Sequence, residues 1–201
     1  KRVKIFNITK DTQCEIAINQ EKHNTISSHE HHNKHHHDAN THLWFSPKNI
    51  PKIANNIYEA LSSIHKNKSK EYQHNLNQFI NTIDNLDKKI HSLLSKYKNQ
   101  NFYIYHPFLE CFANDYQLNQ IAIEKEGKKP SIKHLNNILQ KIKVDKPKII
   151  FVQPHFNKKF AQILTKDKDL AHIKLIEINP LEYDIYTNIS NVMEQLEYNW
   201  K

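Results

Sequence analysis

Histidine is crowded into one short part of this 201-residue sequence and then recurs singly. Neutral imidazole is a common ligand for zinc, and it also suits copper and nickel. A single histidine, His42, stands directly before the apolar residues Leu43, Trp44 and Phe45, and a dense group precedes it. The dense group consists of His29, His31, His32, His35, His36 and His37. We interpret the dense group and the single histidine as two kinds of site for the same metal.

The dense group lies in a histidine-rich segment, at about residues 23–40, whose composition is typical of a mobile loop. Asn, Lys, Ser and Asp fill most of its other positions, and such residues bury too little apolar surface to form a core. Histidines four residues apart could chelate a metal if the segment became helical. We therefore predict many weak, exchanging metal sites here. An engineered affinity tag is the alternative, but the run is internal and interrupted.

A second single histidine, His106, follows a short apolar run at 102–105. Similar runs occur at 121–123, 149–152 and 173–178, and helical patterns separate or follow them. Strands that alternate with helices predict an α/β lobe with a mostly parallel sheet flanked by helices. Ligands bind beyond the carboxyl ends of the strands in such sheets. The residues that follow the predicted strands are His106, Glu124, Gln153 with His155, and Asn179.

Two amphipathic helices precede this lobe in the sequence. Apolar residues at spacings of three and four predict a helix over 48–65. A stronger pattern from Tyr72 to Tyr97 predicts a helix of about 30 residues, which would span about 45 Å. A helix of this length is typical of a rod that links or braces two lobes, and a plain bundle or coiled-coil helix is the alternative. The apolar run at 3–8 predicts a short strand.

Composition excludes several classes of function. With one glycine, Gly127, the sequence has no glycine-rich loop for phosphate and no G-x-S-x-G turn for a nucleophile. The net charge of +8 is spread over helix faces, so we expect no nucleic-acid partner. No apolar stretch approaches the roughly 20 residues that a membrane helix needs. Cys14 and Cys111 could form a disulfide in an oxidising compartment or remain two ordinary thiols.

Several segments together resemble the metal-binding receptors of zinc and manganese ABC importers. The stretch ANTHLWFSPKNIPKIANNIYEAL, which contains His42, is similar to the family's D-P-H-x-W-L-x-P segment and the helix after it. FYIYHPFLECFANDYQL, which contains His106, is similar to the family's strand, ligand histidine and helix. PSIKHLNNILQKIK, KIIFVQPHF and LIEINPLEYDIYTNISNVMEQL resemble further family segments in the same order. The histidine-rich segment is similar to that of the ZnuA-type zinc members.

The resemblance implies two α/β lobes joined by a long helix, with the metal between them. It implies zinc ligands at His42 and His106, a third histidine in the first lobe, and a fourth ligand at Asn179, where the family usually has Asp. Manganese-type relatives tend to carry Glu where His106 stands, so the resemblance favours Zn2+. Asn40 and Gln153 stand where acidic residues are common in the family. Because Asn179 is a neutral and weaker oxygen donor, we expect weak zinc binding at the central site.

The resemblance also implies domain boundaries. Residues 1–46 correspond to a remnant of the first lobe with the histidine-rich loop, 47–98 to the linking helices, and 99–201 to the C-terminal α/β lobe. The sequence starts at Lys1 without a signal-peptide pattern. We therefore expect either a removed leader or a fragment of a longer gene product.

The function that the resemblance implies is the substrate-binding component of a high-affinity zinc importer, located in the periplasm. Such a component, which we expect to be a monomer, captures Zn2+ and delivers it to a membrane permease without catalysing a reaction. The alternatives are a manganese-type receptor or adhesin and a histidine-rich protein that stores zinc or nickel. A metal-dependent hydrolase is a further alternative, in which Glu124 could serve as the general base.

Overall fold

The computed structural model describes residues 3–14, 42–124, 130–156 and 158–201. The strands in these ranges are β1 (Asn101–Ile104), β2 (Asn119–Ala122), β3 (Ile149–Val152) and β4 (Lys174–Glu177). The α-helices are α1 (Ile50–Ile64), α2 (Ser69–Leu94), α3 (Glu110–Asp115), α4 (Ile132–Asp145), α5 (Lys158–Lys166) and α6 (Ile185–Trp200). Short 3-10 turns lie at Leu43–Phe45, Lys66–Lys68 and Ser95–Tyr97.

The strands form one sheet in the order β2-β1-β3-β4, and every pairing in the described residues is parallel. β1 lies between β2 and β3, with Asn101 opposite Asn119 and Ile104 opposite Phe151. Helices α3, α4 and α5 follow β1, β2 and β3 and supply the crossovers that parallel pairing requires. The predicted α/β class with a mostly parallel sheet flanked by helices is therefore confirmed.

Alternating side chains of the strands contribute to two separate apolar cores. Phe102 and Ile104 of β1 lie in one core with Phe151 of β3 and with residues of α2, α3 and α6. Tyr103 of β1 and Ile150 of β3 lie in the other core with residues of α4 and α5. Burial on both faces explains why the two inner strands, β1 and β3, are almost continuously apolar in the sequence.

The longest helix, α2, packs along the first of these cores. Its buried residues are Leu76, Ile83, Leu86, Ile90 and Leu94. The helix has 26 residues, so it spans about 39 Å. α1 packs against it, and α6 also contacts it. None of the helices in the described ranges combines the length and the apolar character that crossing a bilayer requires.

Most of the predicted helices and strands occur with small differences in their ends. The helix predicted over 48–65 begins at Ile50, because Ser46 starts a turn in which its Oγ accepts a hydrogen bond from the Asn49 N–H at 3.2 Å. The predicted long helix ends at Leu94 and continues as the 3-10 turn at Ser95–Tyr97. The proposed domain boundaries stay a prediction.

The strand predicted at 3–8 is wrong. Val3 and Ile5 are 86% and 92% exposed, and no strand of the described sheet pairs with this segment. The Nδ2 group of Asn56 on α1 instead donates a hydrogen bond to the carbonyl oxygen of Ile8 at 3.0 Å. An apolar run that meets neither a neighbouring strand nor a core has nothing to stabilise it as a strand.

Cys14 and Cys111 form a disulfide, one of the two states that the sequence left open. Their Cα atoms lie 5.1 Å apart, although they are 97 positions apart in the chain. Cys111 is buried in α3, so the bond attaches the described N-terminal segment to the core beside β1 and β2. A crosslink over so long a loop restricts the unfolded chain strongly.

We predict that the double variant Cys14→Ser/Cys111→Ala loses about 2–5 kcal/mol of unfolding free energy, because the unfolded chain regains the entropy of the closed loop. Urea unfolding followed by circular dichroism measures the change. Reductant should lower the midpoint of the native protein and leave that of the variant unchanged. Equal midpoints for the native protein and the variant would show that the bond contributes no stability.

Candidate metal site

His106 lies just beyond the carboxyl end of β1, which is an inner strand of the sheet. The Tyr105 N–H before it donates to the Phe151 carbonyl oxygen at 2.8 Å, and the Tyr105 carbonyl oxygen accepts from the Glu124 N–H at 2.9 Å. The Phe108 N–H after it donates to the His106 carbonyl oxygen at 2.9 Å. Hydrogen bonds to β3 and to the segment that follows β2 therefore fix the backbone that carries this histidine.

His42 precedes a 3-10 turn that is anchored to the same lobe. Its carbonyl oxygen accepts from the Phe45 N–H at 3.2 Å. Phe45 is completely buried, and its ring centroid lies 5.2 Å from that of Phe108. The Trp44 Nε1–H donates to the Pro180 carbonyl oxygen at 2.9 Å. The turn thus attaches His42 both to the core below β1 and to the loop that follows β4.

The structure brings His42 and His106 together, although they are 64 positions apart in the sequence, as the difference of their numbers shows. Their ring centroids are 5.2 Å apart and their ring planes cross at 80°. Two imidazoles on one tetrahedral zinc, with Zn–N bonds of about 2.0–2.1 Å, have ring centroids about 5 Å apart. The spacing of the two rings is therefore suitable for a shared ion.

The surroundings of His42 favour its neutral form. Burial lowers the pKa of His42 below its ordinary value of 6.5, and the charge that His106 can carry lowers this pKa further. The rings of Trp44 and Phe108 lie near the His42 ring, with centroids 5.4 and 6.3 Å away. Only a neutral imidazole has a lone pair for a metal, so the lowered pKa keeps His42 available as a ligand.

Glu124 is the carboxylate that contacts this pair. Its Oε1 lies 3.0 Å from His106 Nδ1, and 12% of the Glu124 side chain and 25% of the His106 side chain are exposed. Nothing in the sequence pairs these two residues, because they follow different strands. The structure places them together because β1 and β2 are adjacent and parallel.

Asn179 follows β4 and begins the loop that reaches the Trp44 ring. Its Oδ1 accepts from the Leu181 N–H at 3.1 Å, and its backbone carbonyl oxygen accepts from Asn188 Nδ2 at 2.8 Å. The side chain therefore stabilises a turn. The hydrogen bond from Trp44 to Pro180 brings this loop beside the turn that carries the first histidine. The role of Asn179 as a metal ligand stays a prediction.

The other candidates add no complete ligand set. The dense histidine group lies outside the described residues. His155 follows β3 and is exposed, whereas Gln153 is partly buried, and its Oε1 has no hydrogen-bond partner in the described part of the chain. Within the described ranges, no three His, Cys, Asp or Glu side chains form a group that could hold a metal ion. The described residues thus supply an imidazole pair, and zinc sites normally have at least three protein ligands.

Two contacts of the site escaped the sequence analysis. The first joins Glu124 to His106, and the second joins Trp44 to Pro180. The sequence predicts that Glu124 and His106 each follow a strand. Their positions after consecutive strands are the signal in the sequence that they could lie close together. The order of strands in the sheet, which the sequence does not specify, was needed to bring them together.

Comparison with known proteins identifies related sequences over most of the chain. The model of a family described as zinc-uptake complex component A, periplasmic (ZnuA), matches residues 2–197. The zinc-binding lipoprotein AdcA of Streptococcus pneumoniae (strain ATCC BAA-255 / R6) is 29% identical over 150 residues. The match covers 74% of this chain and 29% of that protein. The chain therefore spans less than a third of that relative's length.

Solved structures share the fold. A crystal structure of ZnuA superimposes with a TM-score of 0.73 and 25% identity, and the match covers 80% of this chain and 60% of that one. The Zn(II)-bound ZnuA-like domain of Streptococcus pneumoniae AdcA gives a TM-score of 0.64 and 25% identity, covering 80% and 64% of the two chains. The similarity of fold thus extends over about four-fifths of this chain.

We predict that Trp44→Phe removes the hydrogen bond to the Pro180 carbonyl oxygen and lowers the unfolding free energy by about 0.5–1.5 kcal/mol. It should also change the ring resonances of His42 in nuclear magnetic resonance spectra, because the turn loses an anchor. Trp200→Phe is the matched control, since Trp200 Nε1–H donates to the Asn101 carbonyl oxygen at the opposite edge of the sheet. A change in the His42 resonances in both variants, or in neither, would contradict this assignment.

Proposed function

Because its family model matches residues 2–197, this chain belongs to the family described as zinc-uptake complex component A, periplasmic, and we propose that it binds zinc for import. In this proposal the chain is a substrate-binding component outside the cytoplasmic membrane. It captures Zn2+ and presents the ion to the permease of an ABC importer. The family is a family of uptake components rather than enzymes, and we propose that the chain catalyses no reaction.

The observation that carries this proposal is the contact between His42 and His106. Two imidazoles from distant parts of the chain have ring centroids 5.2 Å apart at the carboxyl edge of a parallel sheet, where such folds bind ligands. In a domain without a cofactor-binding glycine loop, an adjacent pair of partly buried histidines is well suited to a metal ion. The relative AdcA is itself named a zinc-binding lipoprotein.

The types of donor favour zinc over manganese. Imidazole nitrogen suits zinc, whereas manganese prefers carboxylate, carbonyl and water oxygens. A manganese-type receptor remains the alternative, and the carboxylate of Glu124 is the feature in its favour because it lies at the same edge of the sheet. Because one oxygen of that carboxylate contacts His106 Nδ1, we propose the two imidazoles as the main metal donors.

We assign the remaining candidates weaker roles. Asn179 would supply a neutral amide oxygen from the loop next to Trp44, and a neutral oxygen binds zinc less strongly than a carboxylate. The dense histidine group would bind several ions weakly and raise the zinc concentration near the chain. We therefore expect weak zinc binding at the pair and still weaker binding at each site of the dense group.

The disulfide between Cys14 and Cys111 supports the location in this proposal. Disulfides persist in the periplasm and at cell surfaces and are rare in the cytosol. A membrane permease is the partner that an uptake component requires. We expect the chain to act as a monomer.

We predict that His42→Ala and His106→Ala each lower zinc affinity at least about tenfold, because even partners of metal ligands contribute about 10–100-fold. Competition with a zinc chelator measures the change in affinity. The chelator removes zinc from the weak sites of the dense histidine group, so those sites do not contribute. His172→Ala is the matched control, since His172 is exposed on the same lobe. Unchanged affinity in both site variants would refute the assignment of this pair to zinc.

A separate experiment distinguishes import from storage. Deleting residues 23–37 should remove most of the zinc capacity of a storage protein, because that range carries all six histidines of the dense group. A receptor should keep its one tighter site after the deletion. Equilibrium dialysis against zinc gives the number of bound ions in each protein. Loss of the tighter site together with the weak ones would favour storage.

A further inference from the structure

The contact between Glu124 and His106 has the geometry of a hydrogen bond that selects one form of the imidazole ring. Glu124 Oε1 lies 3.0 Å from His106 Nδ1, and both side chains are largely shielded from water. An ionised carboxylate can only accept a hydrogen bond. An ionised carboxylate at this position forms a hydrogen bond only with a ring that carries hydrogen on Nδ1, and in the neutral ring the lone pair is then on Nε2.

The backbone holds both partners of this hydrogen bond in place. Glu124 N–H donates to the Tyr105 carbonyl oxygen at 2.9 Å, and Ile123 N–H donates to the Ile104 carbonyl oxygen at 2.9 Å. These bonds extend the pairing of β1 with β2 up to the two side chains. Since neither backbone can shift independently, the carboxylate can control the orientation of the ring and its tautomer.

We propose that Glu124 is a positioning residue that holds the His106 imidazole with hydrogen on Nδ1, so that Nε2 is the atom offered to zinc. This inference rests on the proposed function, because it concerns the same histidine pair. A neutral histidine in water exchanges between two tautomers, and only one of them presents Nε2 as a donor atom. Fixing that tautomer before the ion arrives strengthens binding without adding another ligand.

The same contact is also an argument against Glu124 as the general base of a hydrolase. A general base must take a proton from a water molecule at the metal, and its carboxylate oxygen must be within reach of that water. The Glu124 Oε1 atom is instead engaged by a ring nitrogen of His106. The contact therefore assigns this carboxylate oxygen to the orientation of the ligand.

Nitrogen-15 spectra of the zinc-free protein test the first part of this inference, at a pH about two units above the ordinary histidine pKa. In the native protein His106 should show the tautomer with hydrogen on Nδ1. Glu124→Ala should give a mixture of both tautomers. Glu124→Gln should retain more of the native tautomer, because its amide oxygen can still accept the hydrogen bond.

Chelator competition tests the second part with the same proteins. Glu124→Ala should lower zinc affinity about 10–100-fold, and Glu124→Gln should lower it less. Glu59→Ala, which removes an exposed carboxylate from α1, is the matched control and should change neither measurement. Thermal unfolding of each variant confirms that the domain is folded.

The possible results separate this inference from the proposed function. If Glu124→Ala keeps both the native tautomer and the native affinity, the positioning role is wrong even when the native protein binds zinc. If the tautomer changes but the native protein does not bind zinc, the proposed function is wrong and the control of the His106 ring by Glu124 is supported. A loss of affinity with no change of tautomer in either variant also overturns the positioning role.

Discussion

The parallel pairing of β1 with both of its neighbours determines what the rest of the site can do. Because β2 and β3 lie on either side of β1, the hydrogen bonds of Tyr105 continue the sheet to the residue before His106. The same pairing brings Glu124 to the edge of the sheet where His106 follows β1. A side chain carried by a backbone that is bonded on both sides has little freedom, and metal sites depend on such rigidity.

His42 reaches this edge by a different route, since it belongs to no strand. Burial of Phe45 against Phe108 places the turn after His42 on the core that lies below β1. The Ser46 Oγ–H donates to the Asp115 carboxylate at 2.5 Å, and this adds a polar anchor. The apolar contacts that hold the turn also exclude water from the ring, which is why burial is the largest cause of the lowered pKa of His42. Packing and metal chemistry therefore depend on the same residues.

The sequence was sufficient for the elements and for the two histidines, but not for their contacts. β3 at Ile149–Val152 was predicted with its observed ends, because its residues are buried on both faces and form a clear apolar run. The run at 3–8 has similar residues and forms no strand, since pairing depends on a neighbour that local sequence does not reveal. The position of Glu124 beside His106 likewise depends on the strand order, which arises from tertiary packing. Single residues at strand ends are thus easier to predict than the pairs they form.

The way the two histidines are attached constrains how a bound ion could leave. Both belong to segments anchored in one core, through Phe45 and Phe108, so the two rings do not need to approach each other when an ion binds. A preformed pair reduces the ordering cost of binding, which favours capture. It also means that moving the backbone of either histidine away from the other would disturb the packing of Phe45 against Phe108, which is costly. In the proposed receptor, the neutral amide oxygen of Asn179 would be a weaker donor than the two imidazoles, and its departure would then control release of the ion.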